Sequence, residues 1–273
     1  MSSDLATDSS EQEIAPKKAA KQILQHEIEE GDTALHRGAL ALFTSALSGG
    51  LDIGFSLLLM GVVWTLAHRT YSPATLHLLI ANMYAVGFIF VIIGRSELFT
   101  EQTTLAVLSV LNGKSTLPQL FRLWIIVYIG NLIGGGIFAR LVTYIGPAMG
   151  TIEPEAFGKI ALPLVQHTYL IMLCSGVLGG WLMGLLSWLV AAGRDTISQI
   201  VLVWLITTAI GLANLNHVVA GGVEVFAGWF AGQGVTVADV GRFLLWTTVG
   251  NALGGTIFVA LIKYGHAHNQ EQE

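Results

Sequence analysis

Six long apolar segments dominate this chain, and they occupy residues 38–68, 77–111, 118–146, 163–193, 197–232 and 237–264. Short polar stretches with turn-forming residues separate them, such as those around Pro73 and Pro147. A helix needs about 20 apolar residues to cross the hydrocarbon core of a bilayer. The pattern therefore predicts an all-α membrane protein with six transmembrane helices.

The second and fifth segments are longer than one crossing requires, and each has a polar interruption near its middle. The first interruption covers residues 94–102, and the second covers residues 214–217 and is followed by Gly221 and Gly222. Irregular backbone is tolerated at membrane depth only where protein buries it or where it lines a cavity. We therefore expect transmembrane helices 2 and 5 to be broken at the membrane midplane.

The two halves of the chain repeat each other. Residues 130–135 read Gly-Asn-Leu-Ile-Gly-Gly, and residues 250–255, which lie 120 positions later, read Gly-Asn-Ala-Leu-Gly-Gly. The same offset aligns Glu97 with His217. Since three helices per repeat is an odd number, the second repeat enters the membrane in the opposite sense. The sequence thus predicts two inverted three-helix repeats, with the functional site where they meet.

Composition excludes several classes of protein. Hydrophobic residues make up 53% of the chain and charged residues 11%, which is too few charges for the surface of a soluble domain. Cys174 is the only cysteine, so no intramolecular disulfide can form, and no metal-binding spacing surrounds it. One histidine near the membrane midplane and a single cysteine do not make a catalytic cluster. We therefore expect no enzyme activity, no metal, no cofactor and no nucleic-acid partner.

The polar ends suggest three regions. Residues 1–36 are predicted to form a cytoplasmic tail with a short amphipathic helix at residues 17–30, whose apolar side carries Ile23, Leu24 and Ile28. Residues 37–265 form the transmembrane domain, and residues 266–273 a second cytoplasmic tail. Basic residues are more frequent on the side of both termini, which places the termini in the cytoplasm and the chain in the inner (plasma) membrane as a multi-pass protein.

Several polar side chains inside the apolar segments need partners. Asn131 and Asn251 are predicted to hydrogen-bond the backbone of the broken helices, because an unpaired amide in hydrocarbon is costly. A buried ion pair between Asp52 and Arg95 would compensate two charges in the same way. Glu224 could face either the pore or a neighbouring protomer, and the sequence does not choose between them.

Four stretches of the chain together resemble the formate/nitrite transporter family. They are Glu97-Leu98-Phe99-Thr100, residues 124–135, His217 in the fifth segment, and residues 250–255. The resemblance covers roughly residues 35–265. It implies an aquaporin-like fold of six spans and a homopentamer in the lipid bilayer with one pore per protomer. It also implies conduction of small monovalent anions such as formate, nitrite or hydrosulfide.

The chain departs from the family pattern at several positions. Asn216 stands where an acidic residue commonly precedes the histidine, and Gly221 stands where an asparagine is usual. Glu101 and Glu224 are additional acidic residues within the spans. These differences indicate a divergent branch of the family.

The candidate pore residues follow from chemistry and from the resemblance. His217 is the only histidine deep inside a span, and an imidazole there can give a proton to a weak-acid anion or hydrogen-bond to it. The alternative is a buried histidine that only ties the broken helix together. The resemblance implies that Thr100 offers its hydroxyl to the ion and that Leu98 and Phe99 form the apolar constriction. Thr100 could also cap the half-helix that follows it.

Structural support is the predicted role of four further residues. Glu97 is expected to accept backbone N–H groups and so hold the first break, since a carboxylate at membrane depth must be paired. Asn131, Asn251 and Asn216 are expected to support the broken helices.

The resulting hypothesis is a channel or transporter for a small monovalent weak-acid anion or its neutral acid, proton-coupled through His217. Two alternatives stay open. The extra acidic residues favour a pore for a small neutral solute, and the polar N-terminal tail would suit a membrane sensor or scaffold.

Overall fold

The computed structural model describes residues 18–269, and every regular element within them is helical. Helix α1 (Ala20–His36) precedes the first repeat, which contains α2 (Ala39–Ala67), α3 (Pro73–Ile93), α4 (Phe99–Leu111) and α5 (Leu117–Ala148). The remainder contains α6 (Pro154–Val165), α7 (Tyr169–Ala192), α8 (Thr196–Leu212), α9 (Val218–Phe230), α10 (Val237–Leu253), a π-helical segment (Gly254–Leu261) and α11 (Ile262–Asn269).

The two long segments each form a pair of shorter helices. Residues 77–111 become α3 and α4, and residues 197–232 become α8 and α9, with non-helical backbone between the members of each pair. One connection differs from the prediction. The sequence pattern predicts a polar link after α5, whereas this stretch contains α6, which starts at Pro154 in the favoured first-turn position and buries Phe157 and Ile160.

The molecule has the outer surface of a membrane protein. Five helical stretches among the described residues are long and apolar enough to cross a bilayer, namely α2, α3, α5, α7 and the continuous rod Val237–His266. Along α5 every fourth side chain is large, apolar and exposed, and these residues are Leu117, Phe121, Ile125, Ile129, Ile133, Ile137 and Leu141. Such a stripe is suited to lipid or to a neighbouring membrane helix.

Glycines bring the helices of each repeat into backbone contact at equivalent points. A Cβ atom on Gly50 of α2 would overlap the carbonyl oxygen of Asn131 on α5. A Cβ atom on Gly180 of α7 would overlap the carbonyl oxygen of Asn251 on α10 in the same way. This close packing places the two asparagines directly beside the broken helices.

The breaks themselves share one backbone geometry. Both α3 and α8 end with a residue in the left-handed region, Arg95 with φ 59° and Asn214 with φ 49°. The next backbone N–H then closes back onto the last turn of each helix, from Ser96 to the Val91 carbonyl and from Leu215 to the Ile210 carbonyl, both at 3.0 Å. This arrangement is a Schellman-type C-cap, which satisfies helix-end carbonyls that water cannot reach.

Helix α1 packs against the membrane domain and does not stand free in solvent. Its apolar residues Ile23, Leu24 and Ile28 are buried, and the helix is longer than predicted because it runs on to His36. The buried Glu27 accepts a hydrogen bond of 2.6 Å from the Ser187 hydroxyl of α7. Loss of hydration on burial raises the pKa of Glu27 to about 8, although the Ser187 bond opposes that shift.

Candidate pore

Thr100 and His217 meet where the two half-helices begin. Thr100 lies in the first turn of α4, and His217 directly precedes α9. The distance from Thr100 Oγ1 to His217 Nε2 is 2.7 Å, and neither side chain is exposed to solvent. Two positions 117 residues apart therefore form one buried polar contact between the repeats.

The backbone of α9 fixes the hydrogen positions of this histidine. His217 is the N-cap of α9, and the Ala220 backbone N–H donates to its Nδ1 at 3.0 Å. Since Nδ1 is an acceptor, the neutral ring carries its hydrogen on Nε2 and donates it to the Thr100 hydroxyl. A second ring proton would sit on Nδ1 and point at the Ala220 N–H, so charging the ring requires breaking the cap.

Thr100 itself does not cap its helix, and that prediction was wrong. The N-cap of α4 is Leu98, which makes no side-chain cap bond. The Thr100 hydroxyl is thus free of a structural role in α4 and points across to His217 instead.

An aromatic ring packs against His217, and the two residues before Thr100 are buried. The ring of Phe88 in α3 lies edge-on to the imidazole of His217, with centroids 5.0 Å apart. Leu98 and Phe99 are both buried, and the Phe99 ring packs edge-on against Tyr128 of α5 at 5.1 Å. The sequence analysis missed Phe88, because nothing in an apolar helix sets one phenylalanine apart from its neighbours.

Asn131 and Asn251 hold the two breaks in the same manner. Asn131 accepts from the Phe99 N–H at 2.9 Å and donates to the carbonyls of Ala46 and Glu97 at 2.7 and 2.8 Å. Asn251 accepts from the Val218 N–H at 2.8 Å and donates to two carbonyls at equivalent places. These acceptors are Gly176 at 2.7 Å and Asn216 at 2.9 Å. The structure therefore pairs Asn216, and not His217, with Glu97.

Asn216 takes part in the second break through its backbone. Its N–H donates to the Ser175 hydroxyl at 2.9 Å, whereas its buried side-chain Nδ2 has no hydrogen-bond partner among the described residues. An unpaired N–H donor therefore lies next to His217, where the resemblance would place a carboxylate.

The carboxylate of Glu97 binds side chains and not the backbone N–H groups that we expected. Arg37, which joins α1 to α2, donates to Oε1 at 2.8 Å, and Gln102 donates to Oε2 at 2.6 Å. The backbone of the break has other partners, since the Glu97 N–H reaches the Ser45 hydroxyl at 3.2 Å. Glu97 thus links the first break to the chain segment after α1.

The predicted pair between Asp52 and Arg95 does not form. Arg95 instead forms an ion pair with Glu30 of α1 at 2.9 Å. Asp52 accepts hydrogen bonds from the hydroxyls of Ser48 and Ser96 at 3.2 and 3.3 Å. The Arg95 guanidinium therefore joins the first break to α1 and not to α2.

Two cavities lie at opposite ends of α3 and α8, on either side of the Thr100–His217 contact. The tail-side cavity, of about 570 Å³, borders α1 and the start of α4, and its lining includes Glu30, Glu97 and Glu101. The far-side cavity, of about 180 Å³, is lined by residues that include Met60, Trp64, His77, Tyr84, Lys159, Leu215, Gly221 and Glu224. Since Thr100 and His217 line neither cavity, the contact lies between them as a closed point.

The half-helices direct their N-terminal ends at this closed point. The first backbone N–H groups of α4 and α9 follow Leu98 and His217, and such ends carry roughly half a positive charge each. Converging helix ends of this kind favour an anion at the midplane of the membrane. The geometry thus combines a weakly positive centre, one N–H donor on His217 and a hydroxyl on Thr100.

Comparison with known proteins decides the family. A family model described as formate/nitrite transporter matches residues 21–265. The chain belongs to the formate/nitrite transporter family.

Individual members of the formate/nitrite transporter family show how similar the chain is to them. Inner membrane protein YfdC of Escherichia coli strain K12 is 34% identical over 253 residues, which cover 92% of this chain and 79% of that protein. Nitrite transporter NirC of the same strain is 25% identical over 81% of this chain and 82% of its own length. A solved pentameric formate channel with formate bound aligns with a TM-score of 0.70 at 23% identity, and the alignment covers 84% of this chain and 97% of that one.

Proposed function

We propose that this protein is a channel or transporter for a small monovalent weak-acid anion such as formate or nitrite. The observation that carries the proposal is the buried Thr100–His217 contact between two converging half-helices, with a cavity on each side. Family membership supports it, as do the nitrite and formate named for two of the similar proteins.

An anion would cross by replacing the hydrogen bond between Thr100 and His217 with hydrogen bonds from these two side chains to itself. It accepts the Nε2–H of His217 and the hydroxyl hydrogen of Thr100 as these two side chains part. Because the Ala220 N–H holds the imidazole from its other side, the ring stays in place while Thr100 exchanges partners. Phe88, Leu98 and Phe99 keep the surroundings apolar, so that this one site replaces the ion's hydration.

The assembly that we propose is a homopentamer in the inner membrane with both termini in the cytoplasm. The solved pentameric formate channel supports the number of protomers. The exposed apolar stripe of α5 supports burial against lipid or a neighbouring protomer. Each protomer would hold its own pore, since both half-helices and both cavities come from a single chain.

Transport by purified protein in liposomes tests the proposal. Uptake of labelled formate and nitrite should be faster than in empty liposomes of the same lipid, and glycerol uptake should not be. Thr100→Val, which removes the hydroxyl and keeps the shape, should slow the anions. Equal anion uptake with and without the protein would refute the proposed substrate class.

A pore for a small neutral solute is the second candidate, and the acidic residues Glu101 and Glu224 favour it. Both face a cavity, and neither makes a hydrogen bond or an ion pair among the described residues. Carboxylates at both entrances would repel anions. Glycerol uptake that the protein accelerates, with no effect on formate or nitrite, would support this candidate over the first.

A further inference from the structure

Glu224 is the one carboxyl group among the residues that line the far-side cavity. Its side chain is 5% exposed and makes no hydrogen bond or ion pair with any described residue. An ionisable side chain held at membrane depth without a partner is costly, so such a group usually has a function. The proposed passage of the anion between Thr100 and His217 gives Glu224 no role.

The position of Glu224 relative to His217 places it on the route of the ion. His217, Gly221 and Glu224 follow one another at helical spacings of four and three residues, so they share one face of α9. Glu224 lies about 10 Å beyond His217 along the helix axis, at 1.5 Å per residue. Since Gly221 and Glu224 both line the far-side cavity, an ion on this side passes Glu224 before it reaches His217.

His217 is poorly placed to supply a proton. Its Nδ1 accepts the Ala220 N–H, so the ring carries a single hydrogen, on Nε2. Giving that hydrogen away would leave an imidazolate, and adding another would break the cap of α9. The ring is therefore a hydrogen-bond donor, and a proton that travels with the anion must come from another group.

We propose that Glu224 protonates the permeating weak-acid anion in the far-side cavity, a role that rests on the proposed function. The Glu224 carboxylic acid breaks its O–H bond and becomes a carboxylate, while the anion forms a new O–H bond and becomes the neutral acid. The neutral acid moves past Thr100 and His217 by the same exchange of hydrogen bonds as the anion, so it carries a proton in parallel with the conductive passage of the anion itself. It then loses that proton to water in the tail-side cavity, and water in the far-side cavity returns a proton to Glu224. Transport in the other direction reverses these steps.

Other groups around Glu224 suit this exchange. Lys159 of α6 lines the same cavity and adds a positive charge that attracts an anion into it. Tyr84 of α3 also lines this cavity, and its side chain is a neutral phenol. His77 of α3 is engaged with the Leu212 carbonyl at 2.8 Å. Helices α2, α8 and the rest of α9 add no ionisable side chain to the described lining.

Proton movement measured together with formate uptake tests the proposal. Liposomes containing the full-length protein and a pH-sensitive dye receive a formate gradient, and the signal of empty liposomes is subtracted. Glu224→Gln should lower the protein-dependent proton flux about a hundredfold, the lower end of what a positioned general acid contributes. Glu224→Asp should retain the coupling, because it keeps a carboxyl group. Folding should survive the glutamine, since Glu224 has no hydrogen bond to lose.

A matched control is Glu155→Gln, which makes the same change at an exposed residue of α6 outside the cavity lining and should behave as the wild type. Unchanged proton flux and an unchanged pH profile in Glu224→Gln would overturn the role of Glu224 alone. An absence of formate and nitrite flux in the wild-type protein would contradict the proposed function, and this role with it.

Discussion

The Thr100 hydroxyl and the His217 imidazole, 2.7 Å apart, join the two repeats at the start of their half-helices. The contact is buried, and it is held from behind by the Ala220 N–H on one side and by the α4 backbone on the other. Because each partner is fixed by its own helix, a small separation of α4 from α9 opens the contact without unfolding either one.

Replacement of His217 should separate its capping role from its hydrogen-bonding role. Asparagine is a good N-cap and keeps an N–H donor, so His217→Asn should fold and conduct at a reduced rate. His217→Phe removes the donor, and because a hydrogen bond to a charged group is worth about 1.5–3 kcal/mol, formate flux should fall roughly ten- to a hundredfold. Flux assays in liposomes check both variants. Equal flux in the phenylalanine variant and the wild type would remove His217 from the pathway.

Loss of the side-chain hydrogen bonds of Asn131 or Asn251 should destabilise the protein. Asn131→Ala and Asn251→Ala each delete three hydrogen bonds and leave buried backbone groups unpaired, which should lower the free energy of unfolding by roughly 3 kcal/mol. Thermal unfolding in detergent measures the change. Asn112→Ala, at an exposed position after α4, is the matched control and should have little effect. If Asn131→Ala and Asn251→Ala were as stable as this control, the two asparagines would not stabilise the breaks.

The glycine contacts predict that the effect of a glycine-to-alanine substitution on folding depends strongly on where the glycine lies. Gly50→Ala and Gly180→Ala place a methyl group onto the carbonyl oxygens of Asn131 and Asn251, so both should fail to yield folded protein. Gly241→Ala makes the same change in α10 where the methyl meets open space, and it should be neutral or stabilising by about 0.5–1 kcal/mol. The yield of the monodisperse protein on size exclusion is the measurement. Normal folding of the first two variants would show that the helices do not pack this closely.

Docking of α1 should weaken at alkaline pH. The pKa of Glu27 is raised by burial from 4.5 to about 8, so the docked state holds a proton that the undocked state releases. The docking free energy is therefore complete below about pH 4.5 and is lost as the pH rises through about 8. Hydrogen exchange of residues 20–36 at matched pH should show this loss in the wild type. Glu27→Gln should abolish it, and an identical pH response in that variant would contradict the role of Glu27.

Local sequence patterns predicted the long apolar helices and the two breaks but missed α6, and the family resemblance named Thr100 and His217. Polar residues in an apolar run indicate a break, because hydrocarbon tolerates them nowhere else. Contacts between distant segments carried no such signal. The Glu27–Ser187 bond spans 160 positions, and the ion pair of Arg95 with Glu30 spans 65. Whether Glu224 faces the pore or a neighbouring protomer likewise depends on how α9 packs, which the sequence does not show.

The most direct test of the central claim is the formate current of Thr100→Val beside that of the wild type in planar bilayers, with symmetric formate at several pH values. The two side chains differ by the single hydroxyl that meets His217. The account predicts a formate current for the wild type and a loss of roughly tenfold or more in the variant. Equal currents from both proteins would contradict the claim that ions pass between Thr100 and His217.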